Sequence, residues 1–311
     1  VGSEMCIRDS GFTAEKTLSI AQKLYEAKLI TYPRTGSRYI PEDVFDGIPA
    51  LLLTLKGNPT WGERLALVGE PTRRSVDAAK VTDHHALLTT GMKPKNLLPD
   101  EQTLYDMIVG RMLEAFSDKC VKDVTTVVAE CGGTEYTVKG AIVRQAGWRG
   151  VYNEETEDTV LPAWSEGTEL PVAACSMTEG KTKPKPFHTE ASLLAAMETA
   201  GKEVEDEEVR QSLKECGIGT PATRAAIIET LFSREYIVRH KKSLVPTEKG
   251  LALYSVVKQM RIADVEMTGA WEAALAKIER GELRAETFRK EIEEYTAEIV
   301  SELLTCDLSL I

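Results

Sequence analysis

Leu29-Ile30-Thr31-Tyr32-Pro33-Arg34-Thr35-Gly36-Ser37-Arg38-Tyr39-Ile40 decides how the rest of this 311-residue chain is read. Pro33 disfavours the helical region for the residue before it, so Tyr32 is expected on extended backbone. Upstream, Leu18, Ala21, Leu24, Tyr25 and Leu29 recur at helical spacing over residues 13–29, with Thr13 placed to cap and Glu15 in the first turn. A packed helix running straight into a stiff extended segment can fix the tip of a side chain. Residues two apart on a strand share a face, so the phenol of Tyr32 and the guanidinium of Arg34 can reach one anion together. A phenol ionises only near pH ~10, so a tyrosine nucleophile needs a base or a neighbouring positive charge. Arginine is permanently charged and bidentate, which suits charge building on phosphate oxygens. Taken alone, a Tyr-x-Arg triplet is more often a packed ring and a surface ion pair.

Three further stretches bear on that ambiguity, each of which taken alone also has an ordinary structural reading. Val81-Thr82-Asp83-His84-His85-Ala86-Leu87-Leu88-Thr89-Thr90 sets two imidazoles side by side. An imidazole titrates near pH ~6.5 and can donate to phosphate or relay a proton. Adjacent strand residues face opposite ways, so both rings meet one phosphate only if the strand bends. Phe187-His188-Thr189-Glu190-Ala191-Ser192-Leu193-Leu194 is followed by Gly217-Ile218-Gly219-Thr220-Pro221-Ala222-Thr223-Arg224. Thr220-Pro221 at a helix start exposes N–H groups and hydroxyls where a phosphate sits favourably.

Together these stretches resemble the active-site and strand-binding motifs of type IA DNA topoisomerases, closer to the topoisomerase III branch than to the topoisomerase I branch. The resemblance runs through residues 11–305. It implies that Tyr32 attacks a phosphodiester and stays joined to the 5′-phosphate, that Arg34 faces the scissile phosphate, and that His84 orders the hydrogen-bond network. It also assigns DNA contacts to His85, Thr189, Ser192, Thr220, Thr223 and Arg224. Two positions depart from the usual pattern: Gly36 stands where many relatives have Asp, and Thr89 where proline is usual. The family's Mg²⁺ is held by the carboxylates of a separate Toprim domain. No Asp-x-Asp-x-Glu cluster occurs in this sequence, and the nearest acidic run, Glu203 to Glu208, reads as a solvated helix. The expectation is therefore a chain without metal ligands of its own, a fragment unable to cleave DNA unaided.

Composition is compatible with this. The formal charge of −11 is concentrated in residues 101–180 and 251–311, while 11–100 and 181–250, which carry the motifs, are near neutral. Net charge bears on solubility rather than on a local site. Six dispersed cysteines without a Cys-x-x-Cys pair argue against a zinc site or a disulfide framework. No apolar run is long enough to span a membrane, and a monomeric cytoplasmic protein acting on single-stranded DNA is expected. Residues 1–10 read as the translated scar of a sequencing adapter and are set aside.

The fold expected from the resemblance is α+β and multidomain, part of the type IA toroid. Residues 11–117 form the tyrosine-bearing domain, 118–186 a β-rich gate arch, and 187–311 a winged-helix-like domain that binds single-stranded DNA. Pro41 opens a helix toward Leu55, and Pro99-Asp100 another through Phe116. Runs rich in β-branched residues at 121–130, 136–144 and 170–177 read as strands, and Thr182-Lys183-Pro184-Lys185-Pro186 as a stiff connector. Beyond it come a helix from Glu190 to Ala200, a charged stretch at 202–210, a helix from Ala222 to Phe232, a basic hairpin turning at His240-Lys241-Lys242-Ser243, and helices at 269–280 and 285–304. A non-catalytic winged-helix DNA-binding protein and a degenerate remnant stay open as alternatives.

Overall fold

A computed structural model describes residues 7, 9–81, 83–152, 158–174, 176–200 and 217–305. The charged stretch at 202–210, including the acidic run from Glu203, lies outside them. Helix α1 spans Ala14–Glu26, with the Thr13 hydroxyl accepting from the Lys16 N–H. The expected helix from Pro41 is instead two short ones, α2 (Glu42–Asp46) and α3 (Ile48–Leu53), meeting at Gly47. Pro49 sits in the first turn of α3, where its missing N–H costs nothing, so the chain restarts a helix there. Helix α4, Pro99–Phe116, opens with Pro99 and two acidic residues. These helices bury Leu24, Ile48, Leu104, Val109, Leu113 and Phe116 in one core, closed by Trp61, Val68 and Val151.

Strands β1 (Val121–Cys131) and β2 (Thr134–Gln145) pair antiparallel from Cys131↔Thr134 outward. Gly132 and Gly133 both adopt positive φ, 60° and 77°, the geometry a two-residue hairpin turn demands. The turn at 147–152 pins the hairpin base to α4: Arg64 Nη1 donates to the Val151 carbonyl at 2.7 Å, and a side chain at Gly110 would collide with Tyr152. The ribbon exposes Val124, Val128 and Tyr136. The third β run expected at 170–177 is not a strand among the described residues. It finds no ladder partner, and Leu170, Val172 and Met177 stay exposed.

The remaining elements are α5 (Glu190–Glu198), α6 (Arg224–Ser233), β3 (Ile237–His240), β4 (Ser243–Pro246), α7 (Glu248–Val257), α8 (Val265–Glu279) and α9 (Ala285–Thr305). Helix α6 starts two residues later than its sequence suggested, since Pro221, Ala222 and Thr223 form a turn. Helix α7 was not expected. Strands β3 and β4 pair around Lys241, whose φ of 56° closes the basic turn. Trp271 on α8 meets Tyr295 on α9 edge-on at 5.7 Å, as helix packing.

One buried carboxylate joins α1 to α5 and β3. Glu190 Oε2 accepts from the Ala14 N–H at 2.7 Å, capping α1 from 176 residues away, while Oε1 accepts from Arg239 Nε at 2.7 Å. Arg239 also pairs with Glu229 and lies over the Phe232 ring. Burial opposes its charge, but the bonds to Glu190 and Glu229 win and hold its pKa above the ordinary value. Around this bridge pack Ala14, Leu194, Met197, Ala225 and Ile228. Glu190→Ala leaves the Ala14 N–H and the Arg239 Nε without their acceptor and should cost about 2–3 kcal/mol of unfolding free energy in urea. A loss under about 0.5 kcal/mol, the range of an ordinary surface change, would show the bridge to be incidental.

Candidate active site

The turn after α1 fixes where the tyrosine segment begins. Lys28 adopts the left-handed conformation (φ 59°), the Leu29 N–H returns to the Leu24 carbonyl at 2.9 Å, and the Lys28 N–H to Tyr25 at 2.8 Å. This is a Schellman-type stop, completed by burial of Leu29 and Ile30. The chain then runs extended alongside residues 84–90. Ile30 and Thr89 form an antiparallel bridge. The Thr31 N–H donates to the Leu88 carbonyl at 2.8 Å, the Leu88 N–H to Thr31 Oγ1 at 2.9 Å, and the Thr90 N–H to the Leu29 carbonyl at 3.1 Å. Farther along, Thr35 Oγ1 donates to the His84 carbonyl at 2.7 Å, Ser37 Oγ to the Lys80 carbonyl at 2.9 Å, and the Ala86 N–H to the Tyr39 carbonyl at 2.8 Å. The two motif stretches are thus zipped together along their length.

Zipping brings the candidate groups into contact. The Tyr32 ring lies 4.5 Å from the His84 ring, tilted by 49°, and takes an edge-on contact from Tyr25 at 5.3 Å. Tyr32 is half-buried, and its hydroxyl has no hydrogen-bond partner among the described residues. Arg34 follows on the same strand. Its Nε is buried without a hydrogen-bond partner, and no carboxylate pairs with it among the described residues. A buried donor left unmet costs about 1–3 kcal/mol and marks a place where an acceptor is expected to arrive. Phenol and guanidinium on one segment and an imidazole on the segment zipped to it can bind an anion and deliver an oxygen nucleophile to it. His85 points elsewhere. Its Nδ1 donates to the Ala86 carbonyl at 2.7 Å, which leaves Nε2 as the nitrogen for any ligand.

The other expected contacts lie in the second packing cluster. Thr189 and Ser192 form a reciprocal capping box at the start of α5, with His188 Nδ1 3.0 Å from Ser192 Oγ. Thr223 Oγ1 accepts from the Thr220 N–H at 3.0 Å and lies 3.2 Å from Thr220 Oγ1. Arg224 turns inward: it is 8% exposed, and its Nε donates to the Ile218 carbonyl at 3.1 Å. Gly217 and Gly219 both have positive φ, and a Cβ on Gly217 would strike the Met197 carbonyl, so the loop itself requires glycine. This loop abuts the tyrosine segment, since a Cβ on Gly36 would sit 3.6 Å from Pro221 Cγ. A cavity of about 570 Å³ opens between them, lined by Pro33, Thr35, Gly36 and Arg38 on one side and Pro221 and Arg224 on the other. Tyr32, Arg34 and His84 are not among its lining residues.

Sequence reasoning missed three contributors. Thr35 and Ser37 are clamps whose partners are 49 and 43 residues away, and nothing local announces them. Tyr25 falls on the helical apolar stripe but is 39% exposed and braces the Tyr32 ring instead. Among the described residues no group of three or more His, Cys, Asp or Glu could hold a metal, so these residues do not fit a Mg²⁺ site. Nor is any described helix long and apolar enough to cross a membrane.

A family model described as DNA topoisomerase matches residues 4–290. The chain is 36% identical over 312 residues to DNA topoisomerase 3 of Bacillus licheniformis, covering 94% of this chain and 42% of that protein. To DNA topoisomerase 3 of Bacillus subtilis strain 168 it is 35% identical over 313 residues, with the same coverage. It therefore spans about two fifths of the length of these relatives. Among solved structures, full-length topoisomerase I of Thermotoga maritima superposes with a TM-score of 0.66 at 23% identity, over 95% of this chain and 48% of that one.

Proposed function

The chain belongs to the type IA DNA topoisomerase family, in its topoisomerase III-like branch, and on that premise we propose that it supplies the nucleophile and strand-binding surface of an enzyme that breaks, passes and reseals one DNA strand. Tyr32 is the nucleophile. Its oxygen attacks phosphorus, a phosphotyrosine bond to the 5′-phosphate forms as the 3′-oxygen leaves, and reversal of the same exchange reseals the strand. Each break conserves a phosphodiester-type bond, so no ATP is consumed. Arg34 binds the scissile phosphate, and His84 donates to it or relays the proton. The observation that supports this most is the meeting of the Tyr32 and His84 rings at 4.5 Å, with Arg34, two residues along from Tyr32, keeping a buried Nε without a hydrogen-bond partner among the described residues.

The rest of the reading follows the family. Residues 11–117 carry the tyrosine, 118–186 form the gate arch, and 187–311 bind single-stranded DNA, with His85, Thr189, Ser192, Thr220, Thr223 and Arg224 near its backbone. Mg²⁺, when bound by carboxylates of the family's Toprim domain, would supply charge neutralisation at the phosphate, and none of these residues would hold it. The protein works as a cytoplasmic monomer. Its activity is tested with Mg²⁺, the family's metal-binding domain supplied in trans, and a single-stranded oligonucleotide labelled at its 3′ end. A covalent adduct that retains the label is expected. An adduct carrying the label of a 5′-labelled strand instead would overturn the assignment of the 5′-phosphate. His84→Ala should slow adduct formation about 10²-fold, the usual worth of one acid–base group; an unchanged rate would remove His84 from the mechanism.

A further inference from the structure

We propose that the cavity behind the tyrosine segment binds an amphipathic small-molecule anion, one with a hydrocarbon or aromatic body and a single acidic head. At about 570 Å³ it falls within the roughly 300–1,000 Å³ of small-molecule sites. Its floor is apolar, with Leu18 from α1, Ile108 and Met112 from α4, and Leu194 from α5. Such a surface takes up a carbon skeleton in preference to water. Its charged lining is unbalanced. Four arginines face two glutamates: Arg38 pairs with Glu198 and Arg111 with Glu114, and Arg224 is turned inward with its Nε on the Ile218 carbonyl. Arg74, which is exposed, donates to the neutral carbonyl of Ser117 at 2.6 Å and has no ion pair among the described residues. An acidic head therefore has a partner at Arg74, beside the C-terminal end of α4, with the body lying along α1 and α4.

The walls come from both packing clusters: α1, the tyrosine segment and α4 on one side, α5 and α6 on the other. An occupant touches both and ties them together. Nothing in this requires the tyrosine chemistry, so the site stands or falls independently of DNA cleavage.

The test is a fluorescence titration of the 311-residue chain with anilinonaphthalene sulfonate, an aromatic body bearing one acidic group. One saturable site is expected, competed by decanoate and not by decanol, with the thermal midpoint rising as the probe saturates. Leu18→Trp, which fills the floor, and Arg74→Glu, which reverses the charge at an exposed position, should each weaken binding at least about tenfold, the equivalent of one charge-assisted contact. If Leu18→Trp fails to fold, Arg74→Glu decides alone. Absence of a saturable site in the wild type, equal competition by decanol, or undiminished binding in folded Arg74→Glu would overturn the proposal.

Discussion

Tyr32→Phe should eliminate the covalent DNA adduct while leaving the fold untouched. The ring keeps its contacts with Tyr25 and His84, and the hydroxyl it loses has no partner among the described residues, so stability should stay within about 0.5 kcal/mol of wild type. The chemical effect is of another order. Without the attacking oxygen no bond to phosphorus can form, and removal of a nucleophile typically costs on the order of 10⁴-fold or more. Strand binding, which depends on other residues, should persist. Adduct formation at a substantial fraction of the wild-type rate would mean that another group attacks. Tyr25, with its ring 5.3 Å away, is a second phenol within reach.

Arg34→Met should give the opposite pairing of effects, less activity and more stability. Methionine keeps the aliphatic stem and removes the buried Nε that meets no acceptor. Relief of an unsatisfied buried donor should raise the unfolding free energy by about 1 kcal/mol. Loss of the guanidinium should slow adduct formation about 10²–10³-fold, as removal of a preorganised charge-stabilising donor does elsewhere. Circular dichroism in urea and single-turnover cleavage measure the two halves separately. If stability falls along with activity, Arg34 is part of the scaffold rather than a group held ready for phosphate. Strain of this kind persists at sites where function requires it.

Local signals carried much of the fold. The cap at Thr13 and the apolar stripe behind it define α1, the Pro99 start defines α4, and the paired glycines at 132–133 define the β1–β2 hairpin. Errors arose where a distant partner decides. The run at 170–177 has strand-forming residues, but a strand exists only with a neighbour to pair with, and none is present among the described residues. Helix α7 carries Gly250 in its first turn, a residue of low helix propensity, so its sequence gives a weak helical signal. There Gly250 supplies the N–H that Thr247 Oγ1 accepts, and a Cβ on it would collide with the Tyr236 carbonyl. At the site the motif residues themselves were legible, but not what holds them. The Thr35, Ser37 and Glu190 contacts join residues 49, 43 and 176 apart, and such contacts leave no periodic trace. Glu190 sits in the first turn of α5, and its burial between α1 and β3 shows it as the tie between them.

The most direct measurement is peptide mapping of the trapped protein–DNA adduct after nuclease and trypsin digestion. Trypsin cuts after Lys28 and Arg34, isolating the peptide Leu29-Ile30-Thr31-Tyr32-Pro33-Arg34, and separately releases Leu24 to Lys28 with Tyr25. The expected result is a nucleotide mass on Tyr32 in the first peptide and none on the second. A nucleotide on Tyr25, or on any peptide outside residues 29–34, would contradict the assignment of Tyr32 as the group that attacks DNA.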